Sequence, residues 1–172
     1  MNIFYLHTEP KVCAAMHCDK HVVKMILEYA QLLSTAHHVI DEVPSIECYK
    51  PTHVNHPSAV WVRESANNYY WLQALLERLC TQYTERYGKV HKTQRMGIVD
   101  ALRRKPEGLE FTPEVTPPPQ CMPDEYKCNP NTASHADTVF AYRTYYQADK
   151  AYFAKWKSSP IPSWFTPIGE PA

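Results

Sequence analysis

The apolar positions of the chain recur mostly at intervals of three and four, and the intervals of two expected of strands are nearly absent. Residues 2–6, NIFYL, form a short apolar start that reads as a small strand or an extended arm on the core. Thr8, Glu9 and Pro10 give a helix-start signal, predicting a short helical turn from Val12 to Met16. Asp19 is placed to cap a helix running to about Val39, with Val22, Val23, Ile26, Leu27, Ala30, Leu33 and Ala36 as its core stripe. A loop over 41–56 precedes Pro57, which suits a first helical turn. The strongest helical pattern follows, carrying Val60, Trp61, Leu72, Leu75, Leu76, Leu79 and Tyr83 and stopping at Gly88. A shorter helix is predicted over 93–103, and a last one from Ser134 and Asp137 to Trp156.

The Pro residues concentrate after residue 105 and make 105–132 an irregular, wrapping segment. Residues 157–172 read as an extended tail that Trp164 and Phe165 can dock. The expectation is therefore an all-α chain, one compact domain over 1–172, of about four main helices with a Pro-rich irregular segment before the last.

Composition narrows the setting. Eighteen basic and eighteen acidic side chains cancel, so no global charge argues for nucleic acid. Six Cys form no C-x-x-C pair and are expected to be reduced thiols. The first residues have no basic leader and no long apolar run, and no stretch is apolar enough for a membrane. A cytoplasmic protein is the expectation. Nothing in the sequence calls for a cofactor or sets the oligomeric state.

The stretch CDKHVVKMILEYAQLL, Cys18 to Leu33, interrupts an apolar helix with titratable residues. His21, Lys24, Glu28 and Gln31 stand at steps of three, four and three, and so share one face. With apolar residues on both sides, this stripe is expected to border a cleft. Lys24 and Glu28 can form an ordinary i,i+4 ion pair. Alternatively, a carboxylate between apolar walls suits acid–base work, and a lysine beside apolar surface suits attack on a carbonyl-like carbon.

Nine His include two close pairs, His17 with His21 and His53 with His56. Such pairs suit hydrogen bonding, ligand contact or, as a separate possibility, a metal; no metal site is assigned, because no finger or H-E-x-x-H spacing exists. The loop residues His53, Asn55 and His56 precede a helix N-terminus, where an anion is favoured. They are candidates for substrate binding, with Gln31 and Arg63. The last helix interleaves aromatic and basic residues, a pattern suited to stacking on bases and holding phosphates. Phe140, Phe153 and Trp156 are assigned to the core, whereas Tyr142, Arg143, Tyr145 and Tyr146 are candidate contacts.

Asp19, His21 and Glu28, followed by the His56–Tyr87 helical region and the AYRTYY segment at 141–146, occur in an order that resembles the small all-α pyrimidine-dimer DNA glycosylases of tailed phages, the endonuclease V type. The resemblance covers about half the chain. It implies an N-terminal α-amine that attacks the sugar carbon of a damaged nucleotide. It also implies that Glu28 supports glycosidic cleavage and then β-elimination. Met1 is then the nucleophile, with Lys24 as an alternative amine and His21 in the same site, and DNA is the partner. An α-amine is less basic than a lysine, so more of it is neutral and nucleophilic.

The chain departs from that family in three places. Asn2 follows Met1 where the family exposes a small Thr, so Met1 is expected to be retained. Leu27 and Gln31 stand where the family has Arg, which weakens phosphate binding. The alternatives are an enzyme of nucleotide or modified-pyrimidine metabolism acting on a small substrate, a non-catalytic phage factor that binds a nucleotide or a host protein, and a His-rich metal hydrolase.

Overall fold

A computed structural model describes residues 1–169. It is all-helical, with no strand among the described residues. Its helices are α1 (Pro10–Met16), α2 (Asp19–Asp41), α3 (Pro57–Val62), α4 (Ala66–Tyr87), α5 (Lys92–Arg95), α6 (Ile98–Ala101) and α7 (His135–Tyr145). A π-helical turn, Tyr146–Lys150, extends α7.

α2 and α4 pack together, with α1 on α4 and α3 on α2. Their buried faces join one continuous core. From α2 it takes Val22, Met25, Ile26, Tyr29, Leu32, Leu33 and Ala36, and from α4 it takes Leu72, Leu75, Leu76 and Leu79. Each buried Val, Leu, Ile or Met among them contributes about 1.5–3 kcal/mol. Ile3 to Leu6 are not a strand but an extended arm buried in this core. The last part of the tail prediction, 170–172, lies outside the described residues.

Four predicted details change. Asp19 is the first residue of α2 rather than its cap, because its carboxylate accepts from Arg86 and from the Lys157 amide. The long helix predicted after Pro57 breaks at Arg63 to Ser65. There Ser65 caps α4, and the Asn68 side-chain amide donates to the Trp61 carbonyl and to Thr116. The helix predicted over 93–103 becomes α5 and α6, split at Gly97, whose φ of 83° turns the chain. Ser134 and Asp137 do start the last helix, through a reciprocal capping box, but α-geometry ends at Tyr145.

The predicted cores also shift at the margins. Val23 and Leu27 are each 40% exposed, and Phe140 is 63% exposed. Trp156 is buried, Phe153 is half-buried, and Phe165 docks the tail against Trp156 with ring centroids 4.8 Å apart.

The core holds neutral histidines. His17 bonds the Cys13 carbonyl at 2.8 Å and the Tyr29 hydroxyl at 2.8 Å. His21 bonds Tyr146, and His37 bonds Tyr69 at 2.9 Å. Burial lowers the rings of His17 and His37 to about 4, and that of His21 to about 2. An unfolded histidine protonates near pH 6.5. Between that pH and the folded values the unfolded chain binds more protons, so stability is complete above about pH 6.5 and falls as the pH drops. Each ring adds about 1.4 kcal/mol per pH unit to the loss. The urea midpoint is expected to be clearly lower at about pH 5 than at about pH 7; an equal or higher midpoint contradicts the assignment of these rings as neutral.

Candidate functional site

Glu28 projects from α2 beside the core stripe, with its side chain 17% exposed. Its Oε1 lies 4.0 Å from the α-amino nitrogen of Met1, and its Oε2 lies 3.5 Å from Lys24 Nζ. Oε2 is buried and accepts no hydrogen bond. The carboxylate therefore faces two ammonium groups but keeps an open acceptor position.

The amine is set in place by its own arm. The Phe4 amide donates to the Tyr29 hydroxyl at 3.1 Å, next in sequence to Glu28. That hydroxyl also bonds His17 Nε2, while Cys13 Sγ donates to the Phe4 carbonyl at 3.2 Å. The Phe4 ring stacks on His21, with centroids 4.3 Å apart. Three residues of anchored chain thus separate the α-amine from a fixed point in the core. Such preorganisation is what a positioned nucleophile needs.

Beside Glu28 lies a cleft of about 570 Å³. Val23, Leu27 and Met96 give it apolar walls, and Lys24 and Lys92 stand at its edge. Tyr49, His91 and Thr93 complete it. His91 caps α5 by accepting from the Thr93 amide at 3.1 Å, and Tyr49 bonds Thr93 Oγ1 at 2.8 Å. Sequence reasoning missed these α5 residues; the only local sign was a His preceding a short helical turn.

Of the predicted stripe, Lys24 and Glu28 line the cleft, and Gln31 is half-buried one turn further along α2. His21 is corrected: its ring is buried beneath Phe4 and bonded to Tyr146, so it faces the core and not the cleft. His56 lies near the amine. Its Nδ1 accepts from the Ser58 amide at 3.0 Å, capping α3. Burial lowers its pKa, and so do the N-terminal ammonium and His53. His53 is exposed, in the left-handed region at φ 49°, with Nδ1 bonded to Thr52 Oγ1 at 2.9 Å. Asn55 is exposed in the same loop. Arg63 ties that loop to the end of α3 by donating to the Val54 carbonyl at 2.7 Å, and it does not line the cleft.

The AYRTYY segment is corrected in three positions. Tyr142 is buried, and its hydroxyl donates to the Pro119 carbonyl. Tyr146 is buried against His21 and Cys18. Arg143 donates to the Leu6 carbonyl at 2.9 Å and lies over Trp164. Tyr145 is half-buried, stacked near Phe4 and Tyr126, with Lys150 Nζ 4.9 Å from its ring centre. These side chains hold the arm and α2 in place; they do not form the cleft.

His17 and His21 do not converge, since each is bonded to a different tyrosine. No group of three or more His, Cys, Asp or Glu among the described residues is arranged to hold a metal ion. The six thiols are unpaired, and no described helix is long and apolar enough to cross a membrane.

A fixed amine 4.0 Å from a carboxylate that itself lines an apolar cleft is chemically suited to imine formation. The amine attacks an electrophilic carbon, and the carboxylate stabilises the cation that results. No family model, curated protein or solved structure matches the chain.

Proposed function

We propose that the chain is a DNA glycosylase with lyase activity, acting on the N-glycosidic bond of damaged or modified pyrimidines. The observation that carries this reading is the 4.0 Å approach of the Met1 α-amine to Glu28, the carboxylate that lines the cleft.

The chemistry follows from that pair. The neutral α-amine forms a bond to C1′ of the target sugar as the glycosidic bond breaks, and the base leaves with a proton. The C1′–O4′ bond then breaks, O4′ takes the remaining N–H proton by way of Glu28 to become a hydroxyl, and an imine is left between the amine nitrogen and C1′. Glu28 stabilises the iminium and receives protons as they are shed. Loss of a C2′ proton then expels the 3′ phosphate by β-elimination. Lys24 balances the second oxygen of Glu28 and is the reserve amine.

Borohydride reduces such an imine to a stable amine. Incubation with an abasic or dimer-containing oligonucleotide plus borohydride is expected to yield a covalent protein–DNA species. Folded protein that gives neither adduct nor strand cleavage would contradict the reading.

A second reading has its own support. The cleft has the size of a small-molecule site, Leu27 is apolar where phosphate contact would favour Arg, and the net charge is zero. These features favour an enzyme of nucleotide or modified-pyrimidine metabolism with the same Glu28 chemistry. A thermal shift with free nucleotides but none with DNA selects it.

A further inference from the structure

Three lysines gather near the N-terminal end of α2. At its C-terminal end, Asp41 accepts from the Glu107 and Gly108 amides, Glu42 follows, and the Glu110 carbonyl holds the start of α4. At its N-terminal end, about 30 Å away, the surface carries Lys20, Lys24 and Lys150. The carboxylates nearest in sequence to that end are engaged, Asp19 with Arg86 and the Lys157 amide, and Asp149 with the Tyr126 hydroxyl. Lys20 and Lys150 pair with no carboxylate among the described residues. All three ammonium groups act on the His21 ring beneath them.

Aromatic faces lie among these cations. Lys20 Nζ sits 4.7 Å from the Phe153 ring centre. Tyr152 meets Phe153 edge-on at 4.9 Å and is 76% exposed, so its ring is free to stack on a base. Beyond it opens a hollow of about 620 Å³, bounded by Tyr152, Lys155, Trp156, Lys157, Ile161 and Ile168. The backbone here is fixed: the Asp19 amide donates to the Lys155 carbonyl at 2.8 Å, and the segment follows the π-helical turn at Tyr146–Lys150. Such turns recur at functional sites.

Ammonium groups set beside an open aromatic ring, here Tyr152, are the chemistry of single-stranded nucleic acid binding. Lys20, Lys24 and Glu28 lie on one face at successive turns, about 6 Å apart. We propose that the surface from Lys24 through Lys20 and Lys150 to Tyr152 is a track for single-stranded DNA that leads to Glu28. It rests on the glycosylase reading only for where the strand ends.

Fluorescence anisotropy with a short labelled oligothymidylate, between about 50 and 200 mM salt, tests the track. The wild type is expected to bind. Lys20→Gln and Lys150→Gln should each flatten the slope of log affinity against log salt by about 0.7. Tyr152→Ala should weaken binding about tenfold with the slope unchanged. Arg104→Gln, at the far end, should bind as the wild type does. All four side chains are exposed or half-buried, and unchanged thermal midpoints verify folding. The track is overturned if the wild type binds no oligonucleotide, if the three track variants bind like the wild type, or if only duplex DNA or anionic vesicles are captured. Borohydride trapping on an abasic dinucleotide, too short to span the track, separates the two ideas. An adduct without track binding leaves the glycosylase reading standing, and track binding without an adduct removes that reading alone.

Discussion

Glu28→Gln is expected to lower cleavage of abasic DNA by about two to four orders of magnitude, the range of a positioned acid–base group. The substitution keeps the shape of the side chain and removes its charge. The Met1 amine then loses the carboxylate 4.0 Å away, and the iminium that follows attack has no anion beside it. Folding should survive, because glutamine fills the same space and the Lys24 ammonium it releases is 64% exposed and free to be hydrated. Single-turnover cleavage by variant and wild type, at matched thermal midpoints, is the check. Retention of activity within a few-fold removes Glu28 from the chemistry and favours a binding protein without catalysis.

Arg86→Leu is expected to destabilise the fold by about 3–5 kcal/mol. The Arg86 side chain is 3% exposed and serves four acceptors from α4. Nη1 donates to the His17 carbonyl at 2.8 Å and to Asp19 Oδ1 at 3.0 Å, Nη2 to the Ala15 carbonyl at 3.0 Å, and Nε to Gln82. Leucine leaves two carbonyls at the end of α1 without their donor and the Asp19 carboxylate without its cation, and each loss is costly where water is excluded. Asp19 also holds the Lys157 amide, so the loss reaches the segment that carries Tyr152. Arg86→Lys should recover only part of the stability, since a single ammonium cannot span the same acceptors. Urea unfolding measures both; a midpoint for Arg86→Leu equal to the wild type would contradict this account of the α1–α2 junction.

The sequence made the helical layout legible where local chemistry decides it. Pro10, Pro57, Gly88 and the Ser134–Asp137 box each mark the boundary that the chain adopts. It was silent where a distant residue decides. The break before α4 depends on Asn68 meeting Thr116, and Tyr146, where α-geometry gives way, is held by His21 and Cys18.

The site divides in the same way. The spacing of Lys24 and Glu28 placed them together, but the same spacing could not reveal that Phe4 would cover His21. Tyr142 and Tyr152 are alike in sequence context. One is buried because the Pro119 carbonyl lies within its reach, and the other is open because nothing packs on its outer face. Tyr49, His91 and Met96 reach the cleft from segments far along the chain, and no periodicity reports such a meeting.

The central claim is that the Met1 α-amine and Glu28 act as one chemical unit. Peptide mapping by mass spectrometry of the species trapped by borohydride on an abasic oligonucleotide tests it most directly. The account predicts the reduced sugar on the α-amine of the N-terminal peptide; a sugar on Lys24, or no adduct from folded protein, would contradict it.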